Sequence, residues 1–414
     1  MNIWILQTGE PLPSDSGNPR AMRAMNLSQK LVDVGHNVVL WSSSFDHQRK
    51  LHRSKGFSKH RLSNNLEVRL IPSRGYKKHI GIGRLIDHAQ MAINLKYLLN
   101  AESEVPDIAF IGYPPIETAF VMSHWLSERK VPMVLDVKDL WPTMFVEAFP
   151  RLIRPIARVI FHPYFYLSKK TIARADSISA MAPGFIDWIM NYAKRRRSPI
   201  DKVFRLTSPV VSLPEQDLMD AKKKWLNLGF KEGMPAVFFV GTFMSVFDFD
   251  PIKKAADYLS LNNVDCQFIL CGEGAYLDEV KAMMTDVPNY LFPGWVDRVM
   301  IESLAEMSIA SLAPYKNIDN FIYNTPNKIV DSLMLGKPIL SPLEGEVATL
   351  IDSYKVGLSY NESVPLGHCI ETLISDPELQ KDISKNAKSL YQSEFEFDQV
   401  YESLVAHLEE LGSL

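Results

Sequence analysis

Residues 324–340 read NTPNKIVDSLMLGKPIL, with a lysine and a carboxylate three residues apart near the start of a helix-like segment. Thr325 can cap such a helix, Pro326 suits its first position, and Gly336 with Pro338 beyond it marks the end. Helix ends do not require Asn327, Lys328 and Asp331. A helix N-terminus presents unpaired N–H groups and partial positive charge, a setting for phosphate. Lys328 adds a full charge on a flexible stem, and Asp331 shares its face. A carboxylate there can accept hydrogen bonds from both vicinal hydroxyls of a ribose. The cluster is a candidate nucleoside-diphosphate site. The plainer alternative is an exposed Lys–Asp pair, with the acid favoured near the helix start.

Other residues could do chemistry from elsewhere in the chain. Asp139, in DVKDLWP, follows an apolar run and is a candidate base for an acceptor hydroxyl; capping a helix that begins near Trp141 is equally open. Asp136 sits inside the run and is the weaker candidate. His47, in SSFDHQRK, also follows an apolar run and could contact substrate, or could simply be a solvated loop histidine. Asn18 and Arg20, in DSGNPRAMR, could hold a phosphate of donor or acceptor, although Asn18 also suits a helix cap. DVKDL and DFD pair carboxylates without neighbouring histidines, so no metal site and no cofactor is expected.

The elements that must position these residues are short apolar runs alternating with amphipathic segments. In the first half the runs are NIWILQ, NVVLWSS, LEVRLIP, DIAFIGY, PMVLDV and DSISAMA, with helical segments at 18–34, 84–99, 115–128 and 183–193. In the second half they are AVFFVG, CQFILCG, NYLFPG, IASLAP, PILSP and GLSY, with helical segments such as 250–261 and 275–284. Buried strands alternating with helices predict an α/β chain with parallel sheets covered on both faces. Two such sets predict two doubly wound domains with a cleft between them as the default site. A proline-bracketed stretch, SPVVSLPEQD, marks the boundary. The expected domains are 1–208 and 217–385, followed by a helical segment at 386–414 that could cross back to the first domain.

The 414 residues suit two cores better than one. A net charge of −3 gives no reason to expect a nucleic-acid partner. Three cysteines at non-ligand spacing argue for a reducing compartment. The N-terminus lacks the basic flank and length of a signal sequence, and no apolar run is long enough to span a bilayer. A cytoplasmic protein is expected, attached at most to a membrane surface.

PNKIVDSLMLGKPIL followed by LEGEVATLI resembles the C-terminal domain of GT-B glycosyltransferases, in particular family-4-like retaining enzymes of bacterial surface-polysaccharide (O-antigen or capsule) assembly. NPRAMRAMNLSQKLVDVGHNVVLWSSSFDHQRK resembles their first Rossmann unit, DVKDLWP their mid-domain loop, and FFVGTF, LCGEG and FPGWVD the opening strands of their nucleotide domain. The resemblance implies two Rossmann-like domains facing a central cleft. It makes Asp331 the ribose-binding acid, normally Glu, with Asn327 and Lys328 beside the donor. Gly241 and Thr242 match the turn under the diphosphate; Gly272, Glu273 and Gly274 match a strand-end loop lining the cleft. Trp295 and Val296 match the segment beside the base, and Gly17 the loop that closes on the donor.

Two departures bear on the site. Where many members carry a second glutamate before the ribose acid, this chain has Tyr323, and GTFMSVFDFD lacks the arginine and lysine that often follow the GT turn. Charge on the leaving diphosphate would fall to Lys328 and helix N–H groups. The implied donor is a UDP-sugar, with an N-acetylated amino sugar transferred to a polyprenyl-diphosphate-linked saccharide and configuration retained. SRGYKKHIGIGRLIDH, RLIRPIARVIFHPYFYLSKK and AKRRRS mix basic with apolar residues, which suits an anionic membrane surface at the inner face of the cytoplasmic membrane. A solvated helix face is the alternative. Other readings are a UDP-sugar 2-epimerase on the same architecture and a non-catalytic nucleotide-sugar-binding subunit. A NAD-dependent dehydrogenase is disfavoured because no strand is followed by GxGxxG.

Overall fold

Every apolar run named above forms a strand, because each is short, β-branched or aromatic, and bounded by turn residues. In the computed structural model, which describes residues 1–16, 19–78 and 81–413, the strands build two sheets. In chain order they begin with β1 (Asn2–Leu6), β2 (Asn37–Ser43), the short antiparallel pair β3 (Phe45–Asp46) and β4 (Leu51–His52), and β5 (Ser58–Ser63). Then come β6 (Leu66–Ile71), β7 (Ile108–Tyr113), β8 (Met133–Val137), β9 (Ser177–Ala180) and β10 (Lys202–Val203). The second set is β11 (Ala236–Val240), β12 (Gln267–Cys271), β13 (Tyr290–Gly294), β14 (Ala310–Leu312), β15 (Ile339–Ser341) and β16 (Gly357–Ser359).

The first sheet has the order β10-β9-β8-β7-β1-β2-β6-β5 and is parallel except for the edge strand β5. That strand alternates Lys, His and Arg with few apolar residues and is largely exposed, which protects the edge from further pairing. The second sheet, β13-β12-β11-β14-β15-β16, is wholly parallel. Helices cover both of its faces, one around Phe239, Leu270 and Leu333, the other around Trp225, Phe238 and Leu304.

The chain divides into a first unit, Met1–Phe204 with Asp398–Leu414, and a second, Arg205–Phe397. The handover precedes the proline-bracketed stretch because the residues just after it are already tied to the second unit. Arg205 donates to Glu346 (2.5 Å) and Glu394 (2.9 Å), and Thr207 to the Phe395 carbonyl (2.5 Å). The C-terminal segment is not one helix. A π-turn at Tyr391–Phe395 and an extended Glu396 separate Pro377–Leu390 from Phe397–Gly412. The last helix buries Tyr401, Leu404, Leu408 and Leu411 in the first unit.

Candidate functional site

In the second unit the site is built where strands end. The helix Asn327–Met334 starts later than a Thr325 cap allows. Pro326 holds the capping position in an extended conformation, so Thr325 lies one residue too early, and its buried Oγ1 has no hydrogen-bond partner. No side chain caps this end of the helix. Its other end is as expected: Gly336 takes φ +63°, and Lys337 N–H returns to the Ser332 carbonyl.

Lys328 turns from the first helical turn toward the carboxyl end of β11. Its ammonium donates to the Val240 carbonyl and lies 4.5 Å from the Phe239 ring centre and 5.2 Å from that of Phe247. Burial pushes its pKa down to about 8, opposed by the Asp331 charge one turn on. Lys328 is therefore still cationic at neutral pH. One of its three protons is committed to Val240, which leaves two for a ligand.

Glycines make room for this arrangement. A side chain on Gly241 would place its Cβ 1.9 Å from Lys328 Nζ. Gly272, at φ +133°, would meet the Gly241 carbonyl oxygen at 1.9 Å, and Gly274, at φ +152°, the Phe243 oxygen at 2.3 Å. The loops after β11 and β12 are also joined directly, Gly241 N–H to the Cys271 carbonyl (3.0 Å) and Phe243 N–H to that of Glu273 (2.8 Å). Gly272 N–H continues to the Gly294 carbonyl (2.8 Å), next to Trp295 and Val296. Trp295 is 72% exposed, an unusual position for an indole. The structure thus packs Gly241 against both Lys328 and Gly272, seats Gly274 on the Phe243 backbone, and sets Thr242, Glu273 and Trp295 on adjacent, exposed loops. Asn327 is exposed at the helix start.

The first unit contains its own cavity, of about 330 Å³, at the carboxyl ends of β1, β7 and β8 and just after β3. Asp139 and His47 both line it. Asp139 does not cap the following helix, Thr143–Glu147, where Pro142 stands at the capping position. His47 is not a solvated loop histidine: its Nδ1 meets the Tyr76 hydroxyl at 2.8 Å, and burial pushes its pKa down to about 4. Arg20 is exposed ahead of the helix Arg23–Asp33, while Gly17 and Asn18 lie outside the described residues. Asp136 is structural. It receives two hydrogen bonds from Arg23 (2.9 and 3.0 Å) and one from Ser179 (2.5 Å), all buried.

Sequence reasoning missed several residues of this cavity. Glu10 accepts from Gln7 (2.8 Å), Lys138 (2.5 Å) and the Ala24 amide (2.8 Å), so its charge stands at the start of the helix Arg23–Asp33. His88 stacks on Trp141, with ring centres 5.9 Å apart, and is held neutral by burial, its pKa pushed down to about 3. Behind it the Glu117 carboxylate lies 3.8 Å from His88 Nδ1, and burial raises its pKa to about 7. Asp87 accepts from Ser73 (2.6 Å) and the Gly75 amide (2.7 Å) and so fixes the loop that carries Tyr76. The i, i+4 spacing of Arg84 and His88 and the strand-end place of Glu10 were legible signals; the inward turn of the helix Ile82–Asn100 was not. Thr8 Oγ1, His47 Nε2 and His88 Nδ1 are buried without hydrogen-bond partners, and their residues line the cavity. Orphan polar atoms of this kind are usual where a ligand or water completes the bonding. Among the described residues, no group of three or more His, Cys, Asp or Glu could hold a metal ion.

Residues 222–390 match the family model described as Glycosyl transferases group 1. A search of curated proteins finds no match. Solved structures similar over nearly the full length include sucrose-phosphate synthase from Thermosynechococcus elongatus, with 13% identity, 100% of this chain and 99% of that one covered, and a TM-score of 0.72. HepE from Anabaena, solved in complex with UDP, shares 15% identity over 99% of this chain and 100% of its own, at a TM-score of 0.65. WaaG, described as a glycosyltransferase involved in lipopolysaccharide biosynthesis, shares 13% over 99% of each chain, also at 0.65. At such identities the likeness speaks for the fold, which is GT-B. With a group 1 glycosyl transferase domain over most of its second unit and the GT-B fold throughout, the protein is a glycosyltransferase.

Proposed function

We propose that the protein transfers an N-acetylated amino sugar from a UDP-sugar to a polyprenyl-diphosphate-linked saccharide, with retention, in bacterial surface-polysaccharide assembly. The observation that carries the reading is Lys328, a desolvated ammonium at an uncapped helix start, packed on the glycine turn after β11 with Asp331 one turn away. Diphosphate on Lys328 and ribose on Asp331 place a nucleotide across the ends of β11 to β13, with Trp295 available to the base. The UDP-bound state of a structural neighbour supports the choice of nucleotide. In the reaction the anomeric carbon–oxygen bond to the diphosphate breaks and UDP leaves. A new bond forms from an acceptor hydroxyl, whose proton passes to the departing phosphate or to Asp139.

The cavity of the first unit suits the acceptor saccharide. Its neutral imidazoles, the Thr8 and Tyr76 hydroxyls and Gln7 both donate and accept, as a ring of sugar hydroxyls requires. The same reading places the protein in the cytoplasm, at the inner face of the membrane, with no metal requirement. The test incubates full-length protein with a panel of UDP-sugars and a lipid-linked saccharide, with and without EDTA, and follows product mass and anomeric configuration. Transfer unaffected by EDTA and with retained configuration is expected. Nucleotide binding without turnover would instead support a non-catalytic subunit, and a rearranged free UDP-sugar an epimerase.

A further inference from the structure

Glu117 stands in the first turn of the helix Ile116–Glu128, behind the cavity of the first unit. Only 7% of it is exposed, and neither carboxyl oxygen makes a well-formed hydrogen bond. A helix start favours an acid through its dipole, but an acid at the surface gains this without the cost of desolvation. Burial raises the Glu117 pKa to about 7. Its own helix-start amide, the Tyr164 hydroxyl and Arg84 oppose the rise, and Asp87 adds to it. These groups come from the two helices packed against it, Ile82–Asn100 and His162–Arg174. A buried acid that changes charge near neutral pH is a costly choice for a purely structural position.

What Glu117 faces is His88 Nδ1, at 3.8 Å. That nitrogen is also buried and without a hydrogen-bond partner. Two unsatisfied polar atoms thus face each other about 0.6 Å beyond hydrogen-bond range. The His88 ring stacks on Trp141 at 5.9 Å and lines the cavity. With Nδ1 turned to Glu117, Nε2 on the far side of the ring is the nitrogen left for a ligand. Burial, Arg84 and His47 keep the imidazole neutral, so it carries one N–H and one lone pair. Which nitrogen holds the proton is set by what the other one meets. A carboxylate can only accept and draws the proton to Nδ1; a carboxylic acid can donate and sends it to Nε2. His47 has no such partner. Its Nδ1 meets the Tyr76 hydroxyl at 2.8 Å, and burial pushes that phenol further from ionisation.

We propose that Glu117 is a positioning residue: as a carboxylate it holds the His88 proton on Nδ1, so that Nε2 accepts a hydrogen bond from the attacking hydroxyl of the sugar acceptor. The role rests on the reading of this cavity as the acceptor site. A hydroxyl that gives its hydrogen to Nε2 turns an oxygen lone pair away from the imidazole, the orientation a nucleophile needs. Its proton still leaves with the phosphate or through Asp139, so His88 orients the hydroxyl and does not itself become charged. That suits an imidazole too desolvated to be a strong base. Protonated Glu117 reverses the arrangement. Nε2–H then donates to the hydroxyl oxygen and occupies the lone pair that must attack. The pair therefore admits the same sugar on both sides of neutrality but presents its hydroxyl for reaction only above it.

Proton–nitrogen correlation spectra of full-length protein with labelled histidine test this, with His88→Phe assigning the signals. Without ligand, wild-type His88 should pass from the Nε2–H to the Nδ1–H form as pH rises through about 7, and Glu117→Gln should keep one pattern throughout. The wild-type titration needs no variant to fold. Farnesyl-diphosphate-linked N-acetylglucosamine is then added as the acceptor probe, and at pH 8 it should shift the Nε2 resonance as an accepted hydrogen bond does. In transfer assays with the same probe, kcat should rise about tenfold from pH 6 to 8 while the acceptor KM changes little, as the ionised fraction of Glu117 grows from about a tenth to nine-tenths. Glu117→Gln should lose that step. A single tautomer across the range, or a Glu117→Gln variant with the wild-type profiles, overturns the proposal. A tautomer change with no response of His88 to the probe would leave the pair standing and overturn the acceptor reading of the cavity, and the orienting role with it.

Discussion

At the scale of single residues, the two carboxylates of DVKDL illustrate how place decides role. Asp136 is sealed against Arg23, and a buried pair that loses one partner leaves an uncompensated charge. Asp136→Ala should destabilise by about 3–5 kcal/mol in denaturant titrations, while nucleotide binding in the remaining folded protein is unchanged. Asp139, three residues on, lines the cavity instead. Lys328 makes a prediction of opposite character. Its pKa of about 8 is set by burial, and a phosphate site needs its charged form. UDP affinity should hold below pH 8 and fall about tenfold per unit above it, and Lys328→Met should abolish that dependence. An affinity that stays flat to pH 9.5 in wild type would remove Lys328 from the diphosphate. The sequence marked Lys328 and Asp331 because their spacing on a helix start is a local property. It left Glu10 and His88 as isolated local signals and was silent on Glu117, because their coming together depends on strands and helices far apart in the chain.

At the scale of elements, the strand-end loops of the second unit are held by backbone contact and not by side chains. Gly272 combines a positive φ with a carbonyl where its Cβ would be, so no rotamer change relieves an added methyl. Gly272→Ala should lower stability by more than about 1 kcal/mol and, if the proposed donor site is right, weaken UDP binding together, because the loop that shifts abuts the Gly241 turn beside Lys328. Stability and binding would be read by thermal unfolding and calorimetry. Loss of stability with unchanged affinity would separate that loop from the site. Element identity was the most legible level of the sequence, since buried parallel strands read as continuous apolar runs. Strands β3, β4, β5 and β10 escaped because β5 is polar and exposed and the other three are only two residues long. The Thr325 cap failed because a proline at the next position moved the helix start beyond its reach.

At the scale of the whole molecule, the titratable groups predict an acid-sensitive first unit. His47, His88 and His407 have folded pKa values pushed down by burial to about 4, 3 and 4. Each contributes stability that is complete above the unfolded value near 6.5 and is lost as pH falls toward the folded value. Glu117, raised to about 7, acts in the opposite sense, favouring the fold at low pH and losing that contribution as pH rises through 7. The balance between pH 6.5 and 4.5 is about two protons taken up on unfolding, so Tm should fall steadily across that interval. Calorimetry from pH 8 to 4.5 checks this; a flat Tm would mean the imidazoles are solvated. The last helix, which includes His407, packs with the first unit despite following the second in sequence. Its apolar face was legible and a return to the first domain was expected, whereas the break at Glu396 carries no strong local signal.

The most direct test of the donor site is calorimetric titration of UDP into wild type, Lys328→Met and Asp331→Asn at pH 7, with CMP and ADP as controls. A site of the proposed kind predicts that wild type binds UDP in preference to the others. Lys328→Met should lose about tenfold or more, as expected for removing a charge-assisted hydrogen bond, and Asp331→Asn should weaken binding through the ribose. Equal UDP affinity in all three proteins would contradict it, leaving the lysine and carboxylate of the opening stretch as parts of a well-packed helix and nothing more.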